Sequence, residues 1–316
     1  MRRKFASLCA GLVIAASTAV GCTATVTPDP AATGRPQRTS EAQDAGYTGE
    51  DHRLTEAEEV LVRSAQQRLV QQCMEKAGFR YWAGALPTAD DLKGGGIFLT
   101  DVGWAKRNGY GSRLQKKAQN VQRDDPNSAY ANALPQGERV RYSETLLGSP
   151  SRGVLKSELP GGGVIEIPRD SCLSDAKSRL YGDFATWFRA EKTATNLTPL
   201  YVPDLMKDRR FTRAVDQWSA CMRAAGHDYA RPQEIREKLP RLTEGLGEEK
   251  AYAAEVGLAV AEATCAEATP LAGTARALDA EYRKKRLQRY ADDIAAYERM
   301  SREALARAGK TTGPTS

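Results

Sequence analysis

Apolar residues return at helical intervals over most of this chain, and glycine and proline break the intervals. Leu61, Ala65, Leu69, Cys73 and Ala77 fall at four-residue steps, a spacing that predicts one face of a helix. Thr55 stands ahead of them with Glu58 three positions on, the pattern in which a hydroxyl and a carboxylate cap the first turn reciprocally. Gly78 follows, where a left-handed residue ends a helix without steric cost. Phe211, Val215, Trp218, Met222 and Ala225 form a second stripe, stopped by Gly226. The two helix ends are near copies, "CMEKAGFRYW" at 73–82 and "CMRAAGHDYA" at 221–230. The residues upstream of them do not match, so this is a short duplicated phrase and not the fixed-period repeat of a solenoid.

A later helix in each half offers another cysteine. In "RDSCLSDAKSRLYGDFATWF", Leu173, Ala176, Leu180, Phe184 and Trp187 make the predicted buried stripe, and "EVGLAVAEATCAEATPL" is the counterpart in the second half. The second half joins its helices compactly, through "RPQEIREKLPRLTEGLGEE", a short helix and a turn. The first half has a long mixed connection, with a Gly-rich "KGGGIFL", a basic stretch, and "DPNSAYANALPQGERVRYSETLLG", helical after Pro135. Val154–Leu159 and Val164–Ile167 flank Pro-Gly-Gly-Gly, which predicts a β-hairpin with a loose turn. From Pro270, apolar positions at Leu271, Ala275, Leu278, Tyr282, Tyr290, Ile294 and Tyr297 predict one helix to about Arg307, roughly 55 Å long at 1.5 Å per residue.

The first residues read as an export signal. Arg2, Arg3 and Lys4 precede an uncharged, mostly apolar run over 5–20, which is too short and wrongly flanked for a membrane span. Ala19-Val20-Gly21-Cys22 resembles a bacterial lipobox, whose cysteine takes a diacylglycerol carrying palmitate-type chains and becomes the mature N-terminus. Ala19 stands where that motif most often has Leu, and the same ending suits ordinary secretion. Cysteine arithmetic separates the two. Five cysteines remain from residue 22 on, Cys22, Cys73, Cys172, Cys221 and Cys265, and lipidating Cys22 leaves an even set for disulfides. Residues 23–53 are rich in Pro, Thr, Ala, Gly and charge, too polar to bury a core. They predict a tether that typically spans roughly 30 Å.

Charge and composition then narrow the function. Losing Arg2, Arg3 and Lys4 with the leader takes the net charge from +6 to +3, too mild to call for nucleic acid. The histidines are His52 and His227, so neither a Ser-His-Asp nor a Cys-His hydrolase is supported. The cysteines show no close pairs of the kind zinc sites use, and no cofactor motif is present. The 102–123 stretch, "VGWAKRNGYGSRLQKKAQNVQR", carries six basic residues and no acid. Trp104, Lys106, Arg107, Tyr110, Lys116 and Lys117 are its candidate ligand-binding side chains, because cations interleaved with aromatic rings grip anionic or sugar-like polymers. The bland alternative is a solvated basic helix beside two buried rings. "EYRKKRLQR" at 281–289 raises the same choice, with anionic lipid headgroups as the partner.

The signal, the "CM-x-x-x-G" helix ends, "DPNSAYANALPQGERVRYSETLLG" and "LPGGGVIEIPRDSCLSDAKSRLYGD" together resemble uncharacterised cell-envelope lipoproteins of high-GC actinobacteria. The resemblance covers most of 55–270 and implies location and architecture, with a place beside envelope export systems, but no catalytic residue. The resulting expectation is a mainly α protein of two related disulfide-stapled helical halves, with one small β-hairpin and a long C-terminal helix. Its divisions are a signal peptide (1–21), a lipidated N-terminus and tether (22–53), a first half (54–200), a second half (201–309) and a tail (310–316). The paired-plan logic selects Cys73–Cys172 and Cys221–Cys265 over Cys73–Cys221 with Cys172–Cys265. The expected function is a non-catalytic, lipid-anchored binding or accessory protein on the outer face of the cell membrane. It needs no metal or cofactor and binds an anionic envelope polymer or an envelope protein complex. The alternative is an envelope hydrolase using carboxylates that sequence cannot single out.

Overall fold

The computed structural model describes residues 53–93 and 96–312. Cys22, the leader, most of the tether and the last four residues lie outside them. The described chain is mainly helical. Before its one hairpin come α1 (Glu56–Lys76), α2 (Ala89–Leu92), α3 (Val102–Asn108), α4 (Ser112–Arg123), α5 (Pro126–Ala133) and α6 (Gln136–Leu147). The hairpin pairs β1 (Val154–Glu158) with β2 (Val164–Pro168), antiparallel, with Leu155 opposite Ile167. After it come α7 (Cys172–Tyr181), α8 (Phe184–Ala194), α9 (Val202–Lys207), α10 (Arg209–Ala224), α11 (Pro232–Leu242), α12 (Glu248–Ala268), α13 (Leu271–Arg286) and α14 (Ala291–Thr312).

The duplicated phrase folds as one motif used twice. At the end of α1, Phe79 N–H donates to Met74 C=O at 2.9 Å and Gly78 N–H to Glu75 C=O at 3.0 Å. At the end of α10, His227 N–H donates to Met222 C=O at 2.8 Å and Gly226 N–H to Arg223 C=O at 3.0 Å. Both glycines sit at φ +87°, the left-handed cap that only glycine takes without strain. Met74 and Met222 are both fully buried. Each copy centres one of the two main cores. The first gathers Val62, Leu69, Val70, Met74, Phe79, Tyr142 and Leu180, and the second Tyr201, Phe211, Trp218, Met222, Ile235, Leu271 and Leu278.

Both disulfides form with the expected pairing, Cys73–Cys172 and Cys221–Cys265, with Cα separations of 5.5 and 5.7 Å. The partner positions are not equivalent. Cys172 opens α7, whereas Cys265 lies in the last turn of α12. The copied plan therefore ends with the phrase itself.

Several helix details differ from the sequence reading, each for a geometric reason. The buried face of α1 is Val62, Ala65, Leu69, Val70 and Met74, and Leu61 is half exposed. A strict four-residue step overshoots a turn by about 40°, so a long run of such steps walks off one face. The expected single helix over 172–187 breaks at Gly182, and Asp183 caps α8 by accepting from Thr186 N–H. Helix also forms ahead of Pro135, as α5 over 126–133, because Asp125 caps it and Pro126 fits its first turn. The C-terminal pattern is two helices. Leu287 is buried in the second core, and a short 3-10 turn at Gln288–Tyr290 redirects the chain into α14.

That redirection changes which half the last helix serves. α13 packs on α10 in the second core, while α14 packs against α1, α7 and α8, placing Ala304 and Ala308 in the first core. The exchange is mutual, since α3, which falls in the first half by sequence, packs on α12 of the second. The division at residues 200 and 201 is thus crossed in both directions by packed helices.

Candidate functional site

The expected binding segment, 102–123, lies over α12 as a strut. Trp104 is buried, and its Nε1–H donates to Asp90 C=O at 3.1 Å, so its ring has no face for a ligand. Tyr110 is half buried, and its hydroxyl donates to Glu262 at 2.5 Å. The cations are drawn off in pairs. Arg107 binds Asp90 at 3.0 Å, Lys116 binds Glu248 at 2.9 Å, Lys117 binds Asp91 at 3.0 Å and Arg113 binds Glu249 at 2.7 Å. Lys106 alone of the six named candidates is exposed and without an ion-pair partner among the described residues. Of the six candidates, Trp104 is buried, the Tyr110 hydroxyl is engaged by Glu262, and three of the four cations are held in exposed ion pairs.

Two buried glutamates hold the strut. Glu255 and Glu262 lie seven apart on α12, hence on one face. Glu262 is fully buried and accepts from Leu99 N–H at 2.9 Å and from Arg236 at 3.3 Å, besides Tyr110. Glu255 accepts from Tyr110 N–H at 2.7 Å, Ser112 N–H at 3.1 Å and the Ser112 hydroxyl. A Cβ at Gly109 would sit 2.8 Å from Glu255 Oε1, so the glycine lets the carboxylate reach the backbone. Burial pushes Glu262 above the ordinary carboxylate range, with Arg236 opposing, and also pushes Tyr110 up. These are the buried carboxylates that a hydrolase reading would favour. Their oxygens are already engaged by protein donors, which is the arrangement of a structural clamp.

The cavity with the richest chemistry lies elsewhere, between α1, α7, α8 and α14. It is a cleft of about 560 Å³, within the size range of small-ligand sites. Its shape follows from the turn at Gly182. Ending α7 at Tyr181 and starting α8 at Phe184 brings the Tyr181 and Trp187 rings together, stacked with centroids 4.3 Å apart. Lys177, one turn before Tyr181 on the same face, places its ammonium 5.0 Å from the centre of the Trp187 ring. α8 adds Glu191, one turn after Trp187. α1 supplies Arg63, Gln66 and Gln67, and α14 supplies Tyr297, Glu298 and Ser301. Leu86 and Pro87 form an apolar lip.

Electrostatics single out Lys177 in this lining. Glu191 is taken by Lys192, whose Nζ lies 2.9 Å from Oε2, close enough for an ion pair though not aligned for a hydrogen bond there. Lys192 also donates to Glu191 Oε1 at 3.3 Å. Arg63 pairs with Glu59 at 3.6 Å. Lys177 has no ion-pair partner among the described residues, and burial lowers its pKa, with Glu191 opposing. Burial likewise pushes Tyr181 up to about 12. The Trp187 Nε1–H is buried without a hydrogen-bond partner among the described residues.

Sequence reading placed Trp187 in a buried stripe and passed over Lys177. The available signal was the lysine one turn before the aromatic cluster "LYGDFATWF", but the cleft also needs α14, some 110 residues further on, and no local pattern announces that contact. No group of His, Cys, Asp and Glu fit to hold a metal occurs among the described residues, and no helix of the described chain is long and apolar enough to cross a membrane. No protein-family model, curated protein or solved structure matches the chain.

Proposed function

We propose that this chain is a non-catalytic, lipid-anchored binding protein on the outer face of the cell membrane, and that it holds its ligand in the α1–α7–α8–α14 cleft. The observation that carries the reading is a ligand-sized cleft with a half-buried lysine that forms no ion pair among the described residues. A partly desolvated cation is costly unless paired, so a fold that keeps one in a cavity is arranged for an incoming partner. The location rests on the leader, on Cys22 in its lipobox-like setting and on the two disulfides, which persist in oxidising compartments. The resemblance to actinobacterial envelope lipoproteins agrees with it, as does a place beside an envelope export complex. An envelope hydrolase is the weaker reading, because Glu255 and Glu262 are engaged within the protein.

Two experiments test this. Replacing Cys22 with Ser should move the protein from the membrane fraction to the medium, and identical fractionation of both forms refutes the anchor. A photo-crosslinking residue at Leu86, on the cleft lip, should capture an adduct in intact cells that the same residue at the exposed Leu242, outside the cleft, does not. No adduct at Leu86, or the same adducts at both, refutes the cleft as the binding site.

A further inference from the structure

We propose that the cleft takes the carboxylate end of a short peptide, anchored on the Lys177 ammonium. The inference rests on the reading of the cleft as a ligand site and adds the chemistry of the ligand. Three features of the lining support it, and each answers a different part of such a molecule.

The first is the charge. Three basic and three acidic side chains line the cleft, Arg53, Arg63 and Lys177 against Glu59, Glu191 and Glu298. Glu191 is paired with Lys192 and Arg63 with Glu59, whereas the Lys177 ammonium, set against the Trp187 ring, forms no ion pair among the described residues. That charge has a fixed place. The Lys177 ammonium stands over the Trp187 ring, 5.0 Å from its centre, an attraction that is strengthened where water is excluded. An ammonium has three donors and no acceptor, and a ring face satisfies none of them with a true hydrogen bond. A carboxylate does, and forms the shorter, charge-assisted kind.

The second is the neutral polar wall. Gln66 and Gln67 stand on consecutive positions of α1, and Gln67 Oε1 accepts from the Tyr81 hydroxyl at 3.3 Å. That contact fixes the carboxamide and leaves its NH₂ as a donor. Side-chain amides of this kind match the donors and acceptors of a peptide backbone. The third is the apolar lip of Leu86 and Pro87, with Leu86 more than one third exposed, a surface suited to a small aliphatic side chain and poorly suited to a sugar or a phosphate. A phosphate would also call for several cations around one point, whereas Arg63 is already paired with Glu59.

The test uses the full chain with both disulfides intact. Calorimetric titration at pH 7 compares N-acetyl-trialanine as the free acid, the same peptide as its C-terminal amide, and sodium acetate. The free acid should bind, the amide at least tenfold more weakly, and acetate more weakly still because it reaches neither the glutamines nor the lip. Lys177→Met keeps an unbranched side chain and removes the charge, so it should abolish the discrimination between acid and amide while leaving the urea midpoint unchanged. If that variant fails to fold, Lys177→Gln replaces it. Equal binding of acid and amide, acetate as tight as the peptide acid, or no binding of the peptide acid at millimolar concentration each overturn the proposal. A specific Leu86 adduct without a carboxylate would overturn it too, yet leave the cleft as a binding site.

Discussion

Replacing Glu262 with Leu asks whether a fully buried carboxylate holds the 97–112 strut in place. The change removes the acceptor for three donors at once, Leu99 N–H, the Tyr110 hydroxyl and Arg236. Leu99 N–H is then left buried without a partner, at a cost of about 1–3 kcal/mol, and the Tyr110 hydroxyl adds about 1–2 kcal/mol. Two effects work the other way. The desolvation of Glu262 itself disappears, and the Arg236 side chain, 34% exposed, can turn to water. The expected net loss is about 2–4 kcal/mol. Tyr110→Phe removes one of the same bonds, so the double variant should cost less than the sum of the singles by at least about 1 kcal/mol. There is also a pH signature. Burial raises the Glu262 pKa above its value in the unfolded chain, so the folded state holds that proton more tightly. The corresponding stability is fully present below the ordinary carboxylate range and is lost as pH rises through the raised value. Glu262→Gln cannot titrate, so the stability of wild type relative to this variant should fall over that window. Urea unfolding followed by tryptophan fluorescence measures all of these, and hydrogen exchange should show faster exchange over 97–112 in Glu262→Leu. A cost below about 1 kcal/mol, strict additivity with Tyr110→Phe, or an unchanged pH slope would refute the clamp.

The other predictions concern the staples, the caps and the basic segment. Replacing Cys73 and Cys172 together opens a bridge of sequence separation 99, and replacing Cys221 and Cys265 opens one of 44. On the chain-entropy model the losses are about 4.7 and about 4 kcal/mol, measurable as urea midpoints, and a first bridge that costs less than the second contradicts that model here. Gly226→Ala meets open space at φ +87°, whereas Gly148→Ala at φ +86° places its Cβ 2.5 Å from Pro168 Cβ. The first should cost about 1–2 kcal/mol from backbone strain alone and the second clearly more, with equal midpoints as the failing outcome. Reversing Lys116 and Lys117 to Glu confronts Glu248 and Asp91. It should loosen α4 in hydrogen exchange without weakening retention on anionic wall polymer, and a salt-dependent loss of retention would favour the polymer-binding reading instead.

Local chemistry was legible in the sequence wherever a few neighbouring residues decide the outcome. The Thr55–Glu58 cap, the two glycine-stopped helix ends and the hairpin at 154–168 fall in this class, while the disulfide pairing, across separations of 99 and 44, was legible from the repeated helix-end phrase. Errors arose where tertiary contacts overrule local pattern. The break at Leu287 has no glycine or proline to mark it, because it is the burial of that leucine in the second core that turns the chain. The ion pairs of the 102–123 segment were not legible either, because their acidic partners, Glu248 and Glu249 on α12 and Asp90 and Asp91 on α2, are distant in sequence or outside the window. The cleft was least legible of all. Lys177 and Trp187 are close in the chain, but the wall that makes their neighbourhood a cavity comes from α1 and α14.

The return of α14 to the first core also sets an order of assembly. Synthesis proceeds from the N-terminus, so α1, α7 and α8 exist long before Ala304 and Ala308 are made to complete their packing. Until then the first core is open on one side, and the cleft lacks the wall that carries Tyr297 and Ser301. Contacts this far apart in sequence close late and slowly, and a half-finished core exposes apolar surface meanwhile. A chain cut short after α13 would therefore leave the second core nearly whole and the cleft without one wall. The cleft thus has all of its walls only in a chain that extends through the α14 residues Tyr297, Glu298 and Ser301.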